Sequence, residues 1–319
     1  MSLPDSPPHS HAPGSGHDFR RASRRALTLT FWLLSGIFVT ELAGGLYSRS
    51  LALLADAGHL LTDVAAVGLA LFAQWYGQRP ACAKRSYGFR RVEILAALIN
   101  GVSLWMIAGY IVYEALGRLA TPVPVASSTM VVISTVGLLV QTTAALILLR
   151  ASGESLNVKG AYVHAATDAI QSAAVVVTGL VMMATGLWQL DPVVSLGMAA
   201  LIAYSGGKIA WEATAVLMES TPSDVDLLAI ARALREVPGV LRVTDLHAWS
   251  ITTGYNALSA HIETDPSLDA KQREDLCAEL GGQLRRDFPL HHLTLQIETQ
   301  CTMCQDGHCG QWLADQAAQ

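Results

Sequence analysis

An α-helical membrane protein with six transmembrane helices and a small C-terminal α+β domain is the fold class that this sequence predicts. Three observations predict it. Only 15% of the 319 residues are charged, against roughly 25% in soluble proteins. The 47 charges are unevenly spread, with 20 in residues 26–219 and 27 in the 125 flanking positions. Inside the poor block, apolar runs recur at the length of about 20 residues that a helix needs to cross the hydrocarbon core.

Helices and closed barrels alone satisfy every backbone group in lipid, and the alternation of a barrel strand is absent. The runs place spans near 26–47, 51–76, 92–116, 128–149, 160–184 and 191–213. They divide the chain into a flexible, basic, His-containing arm (1–25), a membrane domain (26–219), an α+β domain (220–300) and a Cys/His tail (301–319). Lys and Arg in the short connections fix the orientation. Eleven lie on one face (Arg20, Arg21, Arg24, Arg25, Arg79, Lys84, Arg85, Arg90, Arg91, Arg150 and Lys159), against Arg49 and Arg118 on the other. The positive-inside rule then puts both termini in the cytoplasm of a cell, that is inner, membrane. No cleavable signal peptide is expected, because no apolar core precedes a cleavage site.

Net charge of -5 gives no argument for nucleic acid. Five cysteines are too few and too unevenly placed for a disulfide scaffold, and Cys82 and Cys277 read as buried thiols. From Thr221 and Pro222 the composition becomes that of a soluble domain. A helix is expected over 223–237 with Ser223 as N-cap, strands over 240–251 and 255–264 around Gly254, a helix over 267–287 and a strand over 292–299. This αββαβ order suits a binding or dimerisation module rather than a deep catalytic cleft.

Ionisable groups inside spans are costly and point to function. Two pairs repeat one pattern: His59 and Asp63 four apart in the second span, His164 and Asp168 four apart in the fifth, so each pair projects from one helix face. At 1.5 Å per residue, Asp63 lies roughly 18 Å from the outer edge and Asp168 roughly 12 Å from the inner edge of a core about 30 Å thick. The pairs therefore sit at one level. Two imidazoles and two carboxylates make a tetrahedral set for Zn²⁺, with Cd²⁺ and Co²⁺ as further candidates. Against this stands the plainer reading of two hydrogen-bonded packing contacts. Asp56 either orients His59 from behind or accepts a bond from a neighbouring helix, and Glu41 either lines the same cavity or makes a local polar contact.

The soluble end carries further ligand types: His247 and His261 on the hairpin strands, His291, His292 and Glu298 on the last strand, then Cys301, Cys304, His308 and Cys309. A CxxC in a tail, not opening a helix after a strand, favours metal over redox chemistry, with a plain reduced pair as the alternative. His9, His11 and His17 sit in a Pro, Gly and Ser background that gives no rigid site.

AlaAspAlaGlyHisLeuLeuThrAsp (55–63), SerTyrGlyPheArgArgValGluIleLeuAlaAla (86–97), LeuAsnValLysGlyAlaTyrValHisAlaAlaThrAsp (156–168) and AspLeuHisAlaTrpSerIleThr (245–252) together resemble the cation diffusion facilitator family of zinc exporters. The resemblance runs from about residue 25 to 304. It implies a homodimer, a cytoplasmic metallochaperone-like domain, and Zn²⁺ export in exchange for protons. It puts the transport site on His59, Asp63, His164 and Asp168, and cytoplasmic zinc ligands on His247, His261, His291 and Glu298, with Cys301 and Cys304 matching a CxxC of the vertebrate vesicular branch. The loop 77–91 has no His or acidic residue, so no further metal site is expected there. The short 150–159 connection matches a bacterial-type exporter.

The four membrane ligands are all titratable, so metal and protons compete for them, and antiport needs no ATP site; no Walker pattern exists in the chain. Rival readings are an intramembrane zinc enzyme, disfavoured because HExxH is absent and four ligands fill the shell, and a passive channel or sensor.

Overall fold

A computed structural model describes residues 15–76, 82–151 and 156–299. Six long helices run in order, α1 (Ser15–Ser48), α2 (Leu51–Tyr76), α3 (Val92–Ala120), α4 (Ser127–Ala151), α5 (Leu156–Thr185) and α6 (Leu190–Leu217). Among the described residues these six are long and apolar enough to cross a membrane. The second matches its expected bounds. Helical backbone in α1 starts at Ser15, so the four arginines expected in a flexible arm lie on helix.

The chain divides into two compact units, one built from residues up to 75 and from 100 to 208, the other from 76 to 99 and from 209 onward. In the first, helices approach closely where side chains are small. A Cβ on Gly206 of α6 would stand 2.9 Å from the Gly101 carbonyl oxygen and 2.8 Å from Leu104 Cβ on α3, so any larger residue would push the pair apart.

The start of α2 shows how a helix end is satisfied away from water. Its first N–H groups have no partner within the helix. Asp191 at the start of α6 accepts from Leu51 N (2.7 Å) and Ala52 N (3.2 Å), and from Ser50 Oγ at 2.6 Å. Ser50 Oγ accepts from Leu53 N at 3.1 Å, and Ser50 O from Leu54 N at 3.2 Å. Arg118, near the end of α3, lies 4.0 Å from Asp191 and donates to the Arg49 carbonyl, where the chain turns at a positive φ of 58°. One fully buried carboxylate thus ties α2, α3 and α6 together at one end.

In the second unit, α7 (Leu227–Arg235), β1 (Val240–Thr252), β2 (Tyr255–Thr264), α8 (Ala270–Asp287) and β3 (Leu290–Glu298) reproduce the expected αββαβ order. The sheet order is β1-β2-β3, with β1 and β2 antiparallel and β2 and β3 parallel. Gly254, at φ 66°, makes the tight hairpin turn. Ile230 and Leu234 of α7 and Leu276, Leu280 and Leu284 of α8 pack on Val243, Leu246, Leu258 and Ile262 of the sheet. The N-cap of α7 is Asp226, not Ser223: its carboxylate accepts from Leu228 N and Ala229 N, while Val225 turns into the core. Asp269 and Gln272 close α8 with a capping box. Cys82 is exposed, contrary to expectation, because a tight turn pairing it with Arg85 holds it outside any core, and Cys277 is half-buried.

Replacing Asp191 by Ala strips the cap from α2 and should lower stability by about 1–2 kcal/mol, read as a lower thermal midpoint of the purified protein in detergent.

Candidate metal centre

The repeated His-xxx-Asp pattern produces contacts that cross between helices rather than staying within them. His59 Nε2 of α2 lies 2.9 Å from Asp168 Oδ1 of α5, and His164 Nε2 of α5 lies 3.1 Å from Asp63 Oδ1 of α2. Within α5, His164 Nε2 also approaches Asp168 Oδ2 at 3.8 Å. The two imidazole rings are 6.2 Å apart, edge to face. Ligand atoms of His59, Asp63 and Asp168 all fall within 4.8 Å of one another; His164 stands outside that group and reaches it through its contact with Asp63. The depth argument from the sequence therefore has its geometric counterpart: four side chains from two helices meet at one level.

The donor set is hard and borderline, two nitrogens and two carboxylates, which suits a divalent ion of the zinc type. Asp168 is 7% exposed, so a carboxylate there requires a partner, and His59 or a cation meets that need.

Asp56 was expected to orient His59 or to bond a neighbouring helix, and the latter is seen. Its carboxylate, 1% exposed, accepts from Ser172 Oγ at 2.8 Å. Ser172 was not singled out from the sequence, although it lies four residues after Asp168 on the same face of α5. Glu41 is buried, and neither of its oxygens has a hydrogen-bond partner among the described residues. It packs against Gly137 of α4, where a Cβ would collide with Oε1. It makes no hydrogen bond to His59, Asp63, His164 or Asp168.

The second unit gathers a different set. His247 Nε2 is 3.0 Å from Asp245 Oδ1, His261 Nε2 is 3.7 Å from Asp245 Oδ2, and His261 Nδ1 is 3.3 Å from Glu298 Oε1. His291 is not among them. It stacks on Tyr255 at the far end of the sheet, with ring centres 5.2 Å apart, and takes a weak bond from Asn256 N. His261 pairs with Gln296 in the β2–β3 register and Asn256 with Leu290. Five residues at about 3.3 Å each hold His291 roughly 16 Å from His261. His292 points away from it, edge-on to Tyr87 at 5.4 Å. Asp245 was missed as a candidate, although it stands two residues before His247 and so on the same strand face. Cys301, Cys304, His308 and Cys309, as well as His9 and His11, lie outside the described residues.

Two family models match the chain. The cation efflux transmembrane domain covers residues 27–218, and the cation efflux protein cytoplasmic domain, a dimerisation domain, covers residues 222–300. Relatives include a cadmium, cobalt and zinc/H(+)-K(+) antiporter of Bacillus subtilis, 35% identical over 89% of this chain and 92% of its own. The metal cation efflux system protein CzcD of Cupriavidus metallidurans is 33% identical over 89% of this chain and 90% of its own. The zinc transporter ZitB of Escherichia coli is 32% identical over 92% and 93%.

Ser172→Ala leaves the buried Asp56 carboxylate without its donor and should cost about 1–3 kcal/mol, measured as a drop in thermal midpoint against wild type.

Proposed function

This chain belongs to the cation efflux family, and on that premise we propose that it exports Zn²⁺ from the cytoplasm by proton antiport, with Cd²⁺ and Co²⁺ as further substrates. It is a transporter and not an enzyme. The observation that carries the proposal is the crossed pairing of His59 with Asp168 and His164 with Asp63. Tetrahedral Zn²⁺ with bonds of about 2.0–2.1 Å separates neighbouring ligand atoms by about 3.3–3.4 Å. Within each pair the 2.9 Å and 3.1 Å separations lie a few tenths of an ångström below that spacing, and the two pairs draw together around the ion.

The chemistry of exchange follows from which atoms are used. The nitrogen and oxygen that share a hydrogen in each pair are those that Zn²⁺ would take, so metal and protons exclude one another at this site. Loading from the cytoplasm displaces protons there, and protons arriving from the outer side displace the metal. The site alternates between the two sides by rocking of helix groups around it. The charge bias of the loops supports cytoplasmic termini and an inner-membrane location. Assembly as a homodimer through the C-terminal domain accords with the dimerisation model matched over 222–300. In that domain, Zn²⁺ held by the His247, His261 and Glu298 region steadies the dimer and registers the cytoplasmic zinc level.

In sealed proteoliposomes with the cytoplasmic face outward, Zn²⁺ uptake should rise when the lumen is acidified and stall when the gradient is collapsed. Uptake indifferent to the gradient refutes the coupling. Asp63→Ala should reduce flux to that of protein-free vesicles while the folded protein elutes unchanged on size exclusion. For the C-terminal domain, residues 220–319 with their own apolar core should associate more tightly and melt higher as Zn²⁺ is added, and a flat titration counts against metal-supported dimerisation.

A further inference from the structure

The metal centre and the cap on α2 leave Glu41 of α1 without a role. It is 1% exposed, and neither of its carboxyl oxygens has a hydrogen-bond partner among the described residues. A leucine would fill the same space without the cost of burying a polar group, so a carboxyl kept there calls for a reason of its own.

The seam around it is close. A Cβ on Gly44 would collide with Ile133 of α4, and one on Gly137, a turn further along α4, would collide with Glu41 Oε1. The missing side chain at Gly137 makes room for the carboxyl. Ser172 Oγ of α5 stands 3.8 Å from that same Cβ position, so hydroxyl and carboxyl face one small space. Ser172 donates its single hydrogen to Asp56 of α2 at 2.8 Å, and its lone pairs remain open to an acid O–H. Asp56 is the charged group that acts on Glu41, with α4 offering Gly137 and Ile133 at the seam and α5 offering Ser172. His59 and Asp168 act on Asp56 in turn.

Two carboxyl groups around one hydroxyl inside the membrane carry one negative charge between them, because a second would stand with no donor. Asp56 has the donor and takes the charge, while Glu41 keeps a proton. Resting on the reading that this chain exchanges metal for protons, we propose that Glu41 is a second proton-binding site of the cycle, apart from the metal centre, and passes its proton through Ser172 to Asp56. Glu41 gives its proton to the Ser172 oxygen as the Ser172 hydrogen moves to Asp56. That leaves the serine unchanged, Glu41 charged and Asp56 neutral. The negative charge thereby shifts away from His59 and Asp168, and a divalent ion beside them loses part of its attraction. Asp56 then releases its proton and Glu41 takes up another, so the cycle moves a proton beyond those held by the metal ligands.

The test uses the full chain in proteoliposomes loaded with a pH dye, with Zn²⁺ uptake and the accompanying proton efflux read together. Glu41→Gln keeps the size of the side chain but has no proton to give, and it should move about one proton fewer per Zn²⁺ than wild type. Glu41→Asp keeps a dissociable proton and should restore the wild-type ratio. A wild-type ratio in E41Q overturns the inference, and so does a reduced ratio that E41D does not restore. If E41Q carries no Zn²⁺, flux in E41D decides: recovery upholds the need for a dissociable proton, and loss in both variants overturns it. Wild-type protein that carries Zn²⁺ without moving protons sinks the antiport reading itself, and this inference with it.

Discussion

A carboxylate inside a membrane-spanning bundle is costly unless a donor or a cation stands beside it, and that constraint organises most of the first unit. Asp63 and Asp168 meet it through His164 and His59 across the α2–α5 contact. Asp56 meets it through Ser172 on α5. Asp191 meets it through the open first turn of α2 and the nearby Arg118. α2 takes part in every case and α5 in all but the last, so the polar bonds also set the height of α2 against α5. Glu41, packed against Gly137, stands outside this scheme.

That height matters because the two crossed pairs have no spare atoms. Each imidazole faces the carboxylate of the opposite helix, so sliding one helix by a single residue, about 1.5 Å, would break both pairs at once. A site divided between two helices can be assembled and taken apart by their relative movement, which a site on one helix cannot. The same division leaves each imidazole paired with a carboxylate of the other helix.

The C-terminal domain solves a related problem on a sheet. Regular pleating places alternate residues on one face but keeps them spread along the strand. The bulge at Asp245 bends β1 so that one carboxylate reaches histidines on two strands, while Leu246 between them stays in the core. The cost in backbone strain is confined to one residue whose side chain is short enough to accept it.

The sequence by itself determined the six spans, the order of the C-terminal elements and the two His-xxx-Asp pairs inside the spans. These rest on apolar length, periodicity and the cost of charge in lipid, all of which are local or additive along the chain. Residues 51–76 and 255–264 came out with their observed bounds for that reason. Only the tertiary structure decided which histidine faces which aspartate, that Asp56 answers to Ser172, that Asp226 rather than Ser223 caps α7, and that His291 lies at the wrong end of the sheet from His261. Each of these depends on register between elements distant in sequence, and register is set by packing and by a bulge that no single strand or helix announces.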